Sequence, residues 1–216
     1  MTPAILLDIE GTTTPIDFVH AVLFPYARQR LAEFVAAHAS DPEVAGAVAA
    51  LTGPAEALRL MDRDVKSTPL KTLQGLIWKD GYERGELRGV VFPDVAPALE
   101  RWRRDGRGVR IFSSGSVLAQ RLLFSTCADG DLTRFIDGYF DTTTGPKKDA
   151  ASYAAIASAF QLEPPRILFV SDAVDELDAA RAAGMNTRLA VRPGNPPVDD
   201  ADAHGHAAVR TFDAIA

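Results

Sequence analysis

Four clusters of polar side chains carry the types and spacing that chemistry would need. They are Asp8-Ile9-Glu10-Gly11-Thr12-Thr13, then Ser113-Ser114-Gly115-Ser116, then the pair Lys147-Lys148 after Gly145-Pro146, and finally Ser171-Asp172 with Asp175 and Glu176 close behind. An aspartate can attack phosphorus and form an aspartyl-phosphate, which splits one hard displacement into two easier ones. Carboxylates at i and i+2 leave a strand on the same side, but a turn at Gly11 lets Glu10 swing over Asp8. One can then attack while the other handles protons. An anionic carboxylate approaches an anionic phosphate only with a cation between them. A hard divalent ion such as Mg2+ takes a few carboxylate or carbonyl oxygens plus waters. Asp8 and Asp172 are the natural side-chain ligands, with the backbone carbonyl of Glu10 as a third. Ser113 and nearby N–H groups can hold phosphate oxygens at the start of the following helix. Either Lys147 or Lys148 can supply the cation opposite the metal.

These clusters need a scaffold that brings them together. Four short apolar runs, at 4–7, 109–112, 167–170 and 187–191, read as strands buried on both faces of a parallel sheet. Three of the clusters directly follow such a run, and in open α/β sheets sites form outside the carboxyl ends of the strands. Helical patterns lie between the runs, at 95–105 before Gly106, at 152–160, and at 175–183 before Gly184. The alternation predicts right-handed crossovers and an α/β doubly wound parallel sheet. Between about residues 16 and 91 no buried strand is evident. Phe24, Ala27, Leu31, Phe34 and Val35 form one helical stripe, and Leu70, Leu73, Leu76 and Ile77 another. Pro42, Pro54 and Pro69 stand at helix starts. The expectation is a small all-helical domain over 16–91, inserted after the first strand of a core made of 1–15 and 92–216. The stretch 193–206 reads as an irregular loop before a short element near 209–212.

Composition narrows the function classes. The chain has 216 residues, 47% apolar and 24% charged, enough for a sizeable core without disulfides or structural metal. Its 23 basic and 29 acidic residues give a net charge of −6, which argues against nucleic acid or an anionic membrane as partner. A single cysteine, Cys127, cannot form an internal bridge and reads as a packed thiol in a reducing compartment. No run approaches the roughly 20 apolar residues of a membrane span. The apolar opening runs straight into Asp8 and Glu10 without a basic head or cleavage site, so a cytoplasmic protein is expected. His20 and His38 fall in helical segments and His204 and His206 in the polar tail, with no metal-ligand spacing among them. No heptad pattern or apolar strip marks an interface, so a monomer acting on a small molecule is expected.

The order Asp-x-Glu, Ser, Lys, Asp, each placed at a strand or helix end, resembles the haloacid dehalogenase-like superfamily, whose enzymes carry a cap between the first two motifs. Most phosphatases there have Asp two residues after the nucleophile, where this chain has Glu10. Longer strings narrow the resemblance to the acireductone synthase family, the enolase-phosphatases of methionine salvage. These are 7–16 (LDIEGTTTPI), Gln74-Gly75-Leu76-Ile77-Trp78, Gly81-Tyr82-Glu83-Arg84-Gly85-Glu86-Leu87, Ser113-Ser114-Gly115-Ser116 and Val191-Arg192-Pro193-Gly194-Asn195. The resemblance implies Asp8 as nucleophile and Mg2+ ligand, with Glu10 giving a backbone oxygen and acting as general acid/base. It further implies Ser113, Ser114 and Lys147 as substrate-binding residues, Asp172 completing a site for one Mg2+ per subunit, and Glu176 acting behind it. The implied substrate is 2,3-diketo-5-methylthiopentyl-1-phosphate, enolised and then dephosphorylated. Phe18, Leu76, Ile77 and Trp78 are available to hold the methylthio tail. A general sugar-phosphate phosphatase is disfavoured by Glu10 and the Trp78 region, and a phospho-accepting receiver module by the insertion and the chain's length.

Overall fold

The structure, a computed structural model, describes residues 3–63, 65, 67–199 and 202–215. The outer ends of the expected core and two residues of the 193–206 loop lie outside the described residues. The chain divides into two compact units, one running to Ile16 and resuming at Gly89, the other spanning Asp17–Arg88.

The first unit is built on a six-stranded, wholly parallel sheet in the order β3-β2-β1-β4-β5-β6. Its strands are β1 (Ala4–Leu7), β2 (Gly108–Phe112), β3 (Gly138–Phe140), β4 (Ile167–Ser171), β5 (Asn186–Ala190) and β6 (Ala208–Val209). Every residue of β1 and β4 is buried, as helix-covered central strands require. β1 pairs with β2 on one side and β4 on the other, Leu7 lying opposite both Ile111 and Val170. From β1 the chain builds outward to β2 and β3, then returns to β4 and builds the other way. The ends of β1 and β4 therefore flank the point where the winding reverses, the place such sheets use for ligands.

Helices α5 (Val95–Arg104), α6 (Val117–Ser125), α7 (Ala150–Phe160) and α8 (Val174–Ala182) cover this sheet. Tyr153, Ile156 and Ala157 bury the inner face of α7 against Phe112 and Phe169, with Tyr153 edge-on to Phe112. α5 and α8 end where Gly106 and Gly184 take positive φ. Cys127 is buried with its thiol against the Leu123 carbonyl, and burial, with Asp129 and Asp131 nearby, pushes it up to about 12.

β5 departs from expectation. It starts one residue earlier than the sequence suggests, and Asn186 and Arg188 face solvent while their neighbours are buried. Its outer neighbour β6 has only two residues. β3 is a three-residue, half-buried strand without a signal strong enough to mark it.

The second unit holds α1 (Phe24–Ala37), entered through a π-helical turn at Phe18–Leu23, then α2 (Pro42–Ala50), α3 (Pro54–Asp62) and α4 (Thr68–Glu83). Pro42 and Pro54 open their helices and Pro69 is the second residue of α4, where a missing N–H costs nothing. Asp41 caps α2 by accepting from Glu43 and Val44. Both stripes meet inside the unit: Ala27, Leu31 and Phe34 are buried from α1, and Leu70, Leu73 and Ile77 from α4. Gly81 is needed for close approach, because a Cβ there would lie 2.5 Å from the Tyr26 hydroxyl. Tyr26 donates to Glu86, which also binds Arg30.

Candidate active site at the carboxyl ends of β1 and β4

β1 delivers Asp8 directly: its N–H donates to the Val170 carbonyl, so the ladder with β4 runs one residue past the strand. The chain then folds sharply. The N–H groups of Thr12, Thr13 and Thr14 all point at the Ile9 carbonyl, and Gly11 donates to Thr14. Gly11 adopts φ +66°, and a Cβ there would sit 2.2 Å from an Asp172 carboxylate oxygen. Only glycine both turns the chain and leaves room for Asp172.

Asp8 is buried, and each of its oxygens is engaged. Oδ1 accepts from the Ile9 N–H at 2.8 Å and from Lys147 Nζ at 2.6 Å, and Oδ2 accepts from the Ser171 hydroxyl at 3.0 Å. Lys147 also reaches Glu176 Oε2 at 2.6 Å, so one ammonium bridges two carboxylates. Burial works against its charge, yet Asp8 and Glu176 hold Lys147 above the ordinary lysine range. Its loop is fixed by α7: the Tyr153 hydroxyl donates to the Lys147 carbonyl, Ser152 donates to that of Pro146, and Asp149 caps the helix. Lys148 points elsewhere and pairs with Asp175 at 2.6 Å, both side chains more than 60% exposed.

Asp172 and Glu176 stay protonated far longer than ordinary carboxylic acids. Burial first, then the Asp8 charge and more weakly Glu10, raise Asp172 to about 7 against the pull of Lys147. Burial and Asp8 likewise raise Glu176 to about 7. Asp8 and Glu176 thus share one buried ammonium, and Asp172 lies close enough to feel Asp8, Lys147 and, weakly, Glu10, so acidic groups outnumber the cation. A hard divalent cation fits that surplus, and the oxygen donors of Asp8 and Asp172 suit it. Among the described residues no three His, Cys, Asp or Glu side chains form a metal-sized cluster.

β2 is followed by Ser113, whose hydroxyl accepts from the Gly115 N–H at 3.2 Å. Gln120 pins this loop by donating to the carbonyls of Gly115 and Phe140, and Ser116 caps α6. Ser113 is buried and Ser114 half-buried; both flank the Asp8 end of the sheet, since β2 neighbours β1.

Ser171 was named in the fourth sequence cluster but given no role; it ends β4. It is fully buried and lies within 3.1 Å of both Asp8 and Glu176. Of the four apolar residues offered for a methylthio tail, Phe18, Ile77 and Trp78 are buried, and Trp78 donates to the Leu23 carbonyl. That unit's cavity of about 240 Å3 is lined instead by residues such as Phe24, Leu60, Met61 and Leu70, with His20 and Gln74. His206 is buried against Thr187 and Asp178, in keeping with a structural histidine.

The sheet and this acid–lysine cluster define a hydrolase of the haloacid dehalogenase-like family, to which the chain belongs: the family model matches residues 2–184. More particularly, it is 51% identical to enolase-phosphatase E1 of Synechococcus elongatus over 92% of each chain, and 50% identical to that of Sorangium cellulosum over 99% of this chain and 97% of the other. The yeast UTR4 protein, 37% identical, superposes with a TM-score of 0.86 over 99% of each chain. A dehalogenase at 21% identity and TM-score 0.61 shares the fold.

Proposed function

We propose that this protein is the bifunctional enolase-phosphatase of methionine salvage. It enolises 2,3-diketo-5-methylthiopentyl-1-phosphate and releases phosphate to give 1,2-dihydroxy-3-keto-5-methylthiopentene. Near-complete alignment at about half identity with enolase-phosphatases supports the reaction. The single structural observation that carries the chemistry is Lys147 bridging Asp8 and Glu176.

In this reading the substrate phosphate draws Lys147 from Asp8 Oδ1 while Glu176 keeps the ammonium in place. The freed Asp8 oxygen attacks phosphorus, the bond from phosphorus to the ester oxygen breaks with that oxygen staying on C1, and Glu10 gives its proton to the departing oxygen. Glu10 then takes a proton from water as that water attacks the aspartyl-phosphate, returning Asp8 and inorganic phosphate. Ser113 and Ser114 hold phosphate oxygens. Asp8, Asp172 and the Glu10 carbonyl would hold one Mg2+, which when bound polarises the ketone and offsets negative charge. The base that removes the carbon-bound proton is Glu10 or a side chain of the helical unit, which serves as the cap. The protein acts as a cytoplasmic monomer. Among the described residues no helix is long and apolar enough to cross a membrane.

The test is phosphate release from the diketone phosphate with Mg2+ present, together with formation of the enediol. Asp8→Asn, nearly isosteric, lowers phosphate release at least about a thousandfold with an unchanged circular dichroism spectrum. Full activity in that variant removes Asp8 from the mechanism.

A further inference from the structure

The segment after β5 reaches back to grip the turn beyond Asp8. Asn195 Nδ2 donates to the Gly11 carbonyl at 2.8 Å and to the Ala190 carbonyl at 3.3 Å, while Arg192 Nε donates to the next carbonyl, Thr12, at 2.9 Å. β4 lies between β1 and β5, so Asn195 spans two strands and crosses the end of β4, where Asp172 leaves the sheet. Its Oδ1 is buried and has no hydrogen-bond partner among the described residues. The vacant Cβ position of Gly11 is 3.1 Å from that oxygen and 2.2 Å from an Asp172 oxygen, so both face the same spot. A buried amide oxygen left open is costly unless it finds a donor, and a water bound next to Asp172 would supply one.

We propose that Asn195 is a positioning residue for the metal and phosphoryl-transfer site. Its amide N–H2 fixes the turn that carries Glu10, and its Oδ1 orders water beside Asp172. It lies outside residues 2–184 that the family model matches. The inference rests on the phosphatase reading for what the site does, but its geometry is independent of which ester is cleaved.

The experiment uses the full chain, with Mg2+ binding followed by calorimetry in the absence of substrate. Asn195→Ala is expected to weaken Mg2+ binding about tenfold and lower kcat on the diketone phosphate about 10–100-fold, the usual scale for partners behind metal ligands, with KM changed less than about threefold. Asn195→Asp keeps the shape but turns the donor toward Gly11 into an acceptor, so kcat falls as far; it carries the test should the alanine variant not fold. A purely structural role would lower Tm and leave Mg2+ affinity and kcat intact, and that result overturns the proposal. So does wild-type kcat in Asn195→Asp. If the unaltered chain binds Mg2+ and Asn195→Ala binds it more weakly, but neither turns over the diketone phosphate, the functional reading falls and this one stands. No Mg2+ binding by the unaltered chain overturns both.

Discussion

Removing the Lys147 ammonium should cost this protein both stability and substrate capture. Its side chain is 9% exposed and its two carboxylate partners are 7% and 13% exposed, each 2.6 Å away. At an effective dielectric near 20, one such contact carries about 6 kcal/mol of attraction, most of it offset by the desolvation of the three groups. What remains on deletion is the penalty of stranding buried charge, about 3–5 kcal/mol. Asp172 and Glu176, both raised to about 7, can escape by taking protons. The loss is therefore expected in full near pH 8 and reduced near pH 6. For a chain of this size it corresponds to a fall in Tm of about 6–20 °C. Lys147→Met, which keeps the packing, should fall nearly as far, because the lost term is charge. Calorimetric scans at both pH values without Mg2+ give the stability, and steady-state kinetics should show KM rising at least about tenfold. Lys148→Ala is the control, its exposed pair with Asp175 making no measurable difference. The reasoning is refuted if Lys147→Ala melts with the wild type and keeps its KM, or if Lys148→Ala is the damaging change.

Other expectations follow from the same geometry. In EDTA, native Asp172 and Glu176 hold protons that the unfolded chain has released, so their contribution to stability falls as pH rises from about 4 to about 7. His206, held neutral by burial and so depressed below its usual range, works the other way as pH drops below about 6.5. Urea titrations of wild type against Glu176→Gln isolate the carboxylate part: the variant's advantage should grow toward pH 7.5, and a constant difference across pH would contradict the shift. Gly11→Ala should abolish turnover, because a methyl at φ +66° both strains the backbone and displaces Asp172; activity above about a tenth of wild type would show that the turn tolerates it. Cys127 at about 12 leaves a thiolate fraction on the order of 10^-4 at pH 8. Iodoacetamide should therefore label it only after denaturation, as intact-mass spectrometry can show.

Much of the candidate site was legible because strand ends are legible. Buried β1 and β4 must be apolar throughout, so the first polar residue after each run stands out, and Asp8 and Asp172 are those residues or next to them. Ser171, the first polar residue after the 167–170 run, was noticed but given no role, because nothing in its type separates a core hydroxyl from one that lies against two carboxylates. Neither does sequence separate Lys147 from Lys148 without the family's Gly-x-Lys pattern, since the difference is which side of the loop faces inward, set by Tyr153 and Ser152 on α7. The alternation of β5 was missed because Leu189, Ala190 and Val191 look like a continuous run, whereas Asn186 and Arg188 are exposed. Gly81 and Glu86 belong to a family string, yet their visible work is inside the helical unit, against Tyr26 and Arg30.

The contacts that complete the cluster are long in sequence: Asp8 finds Lys147 139 residues away and Ser171 163 away, and Gly11 finds Asn195 184 away. On the ribosome Asp8 emerges almost first, and the residues it contacts follow well over a hundred residues later. A nascent chain thus carries an unfinished pocket for nearly its whole synthesis, and premature termination anywhere before the tail yields a product with no competent catalyst. Closing such distant loops is slow, so the appearance of turnover should trail the appearance of secondary structure during refolding.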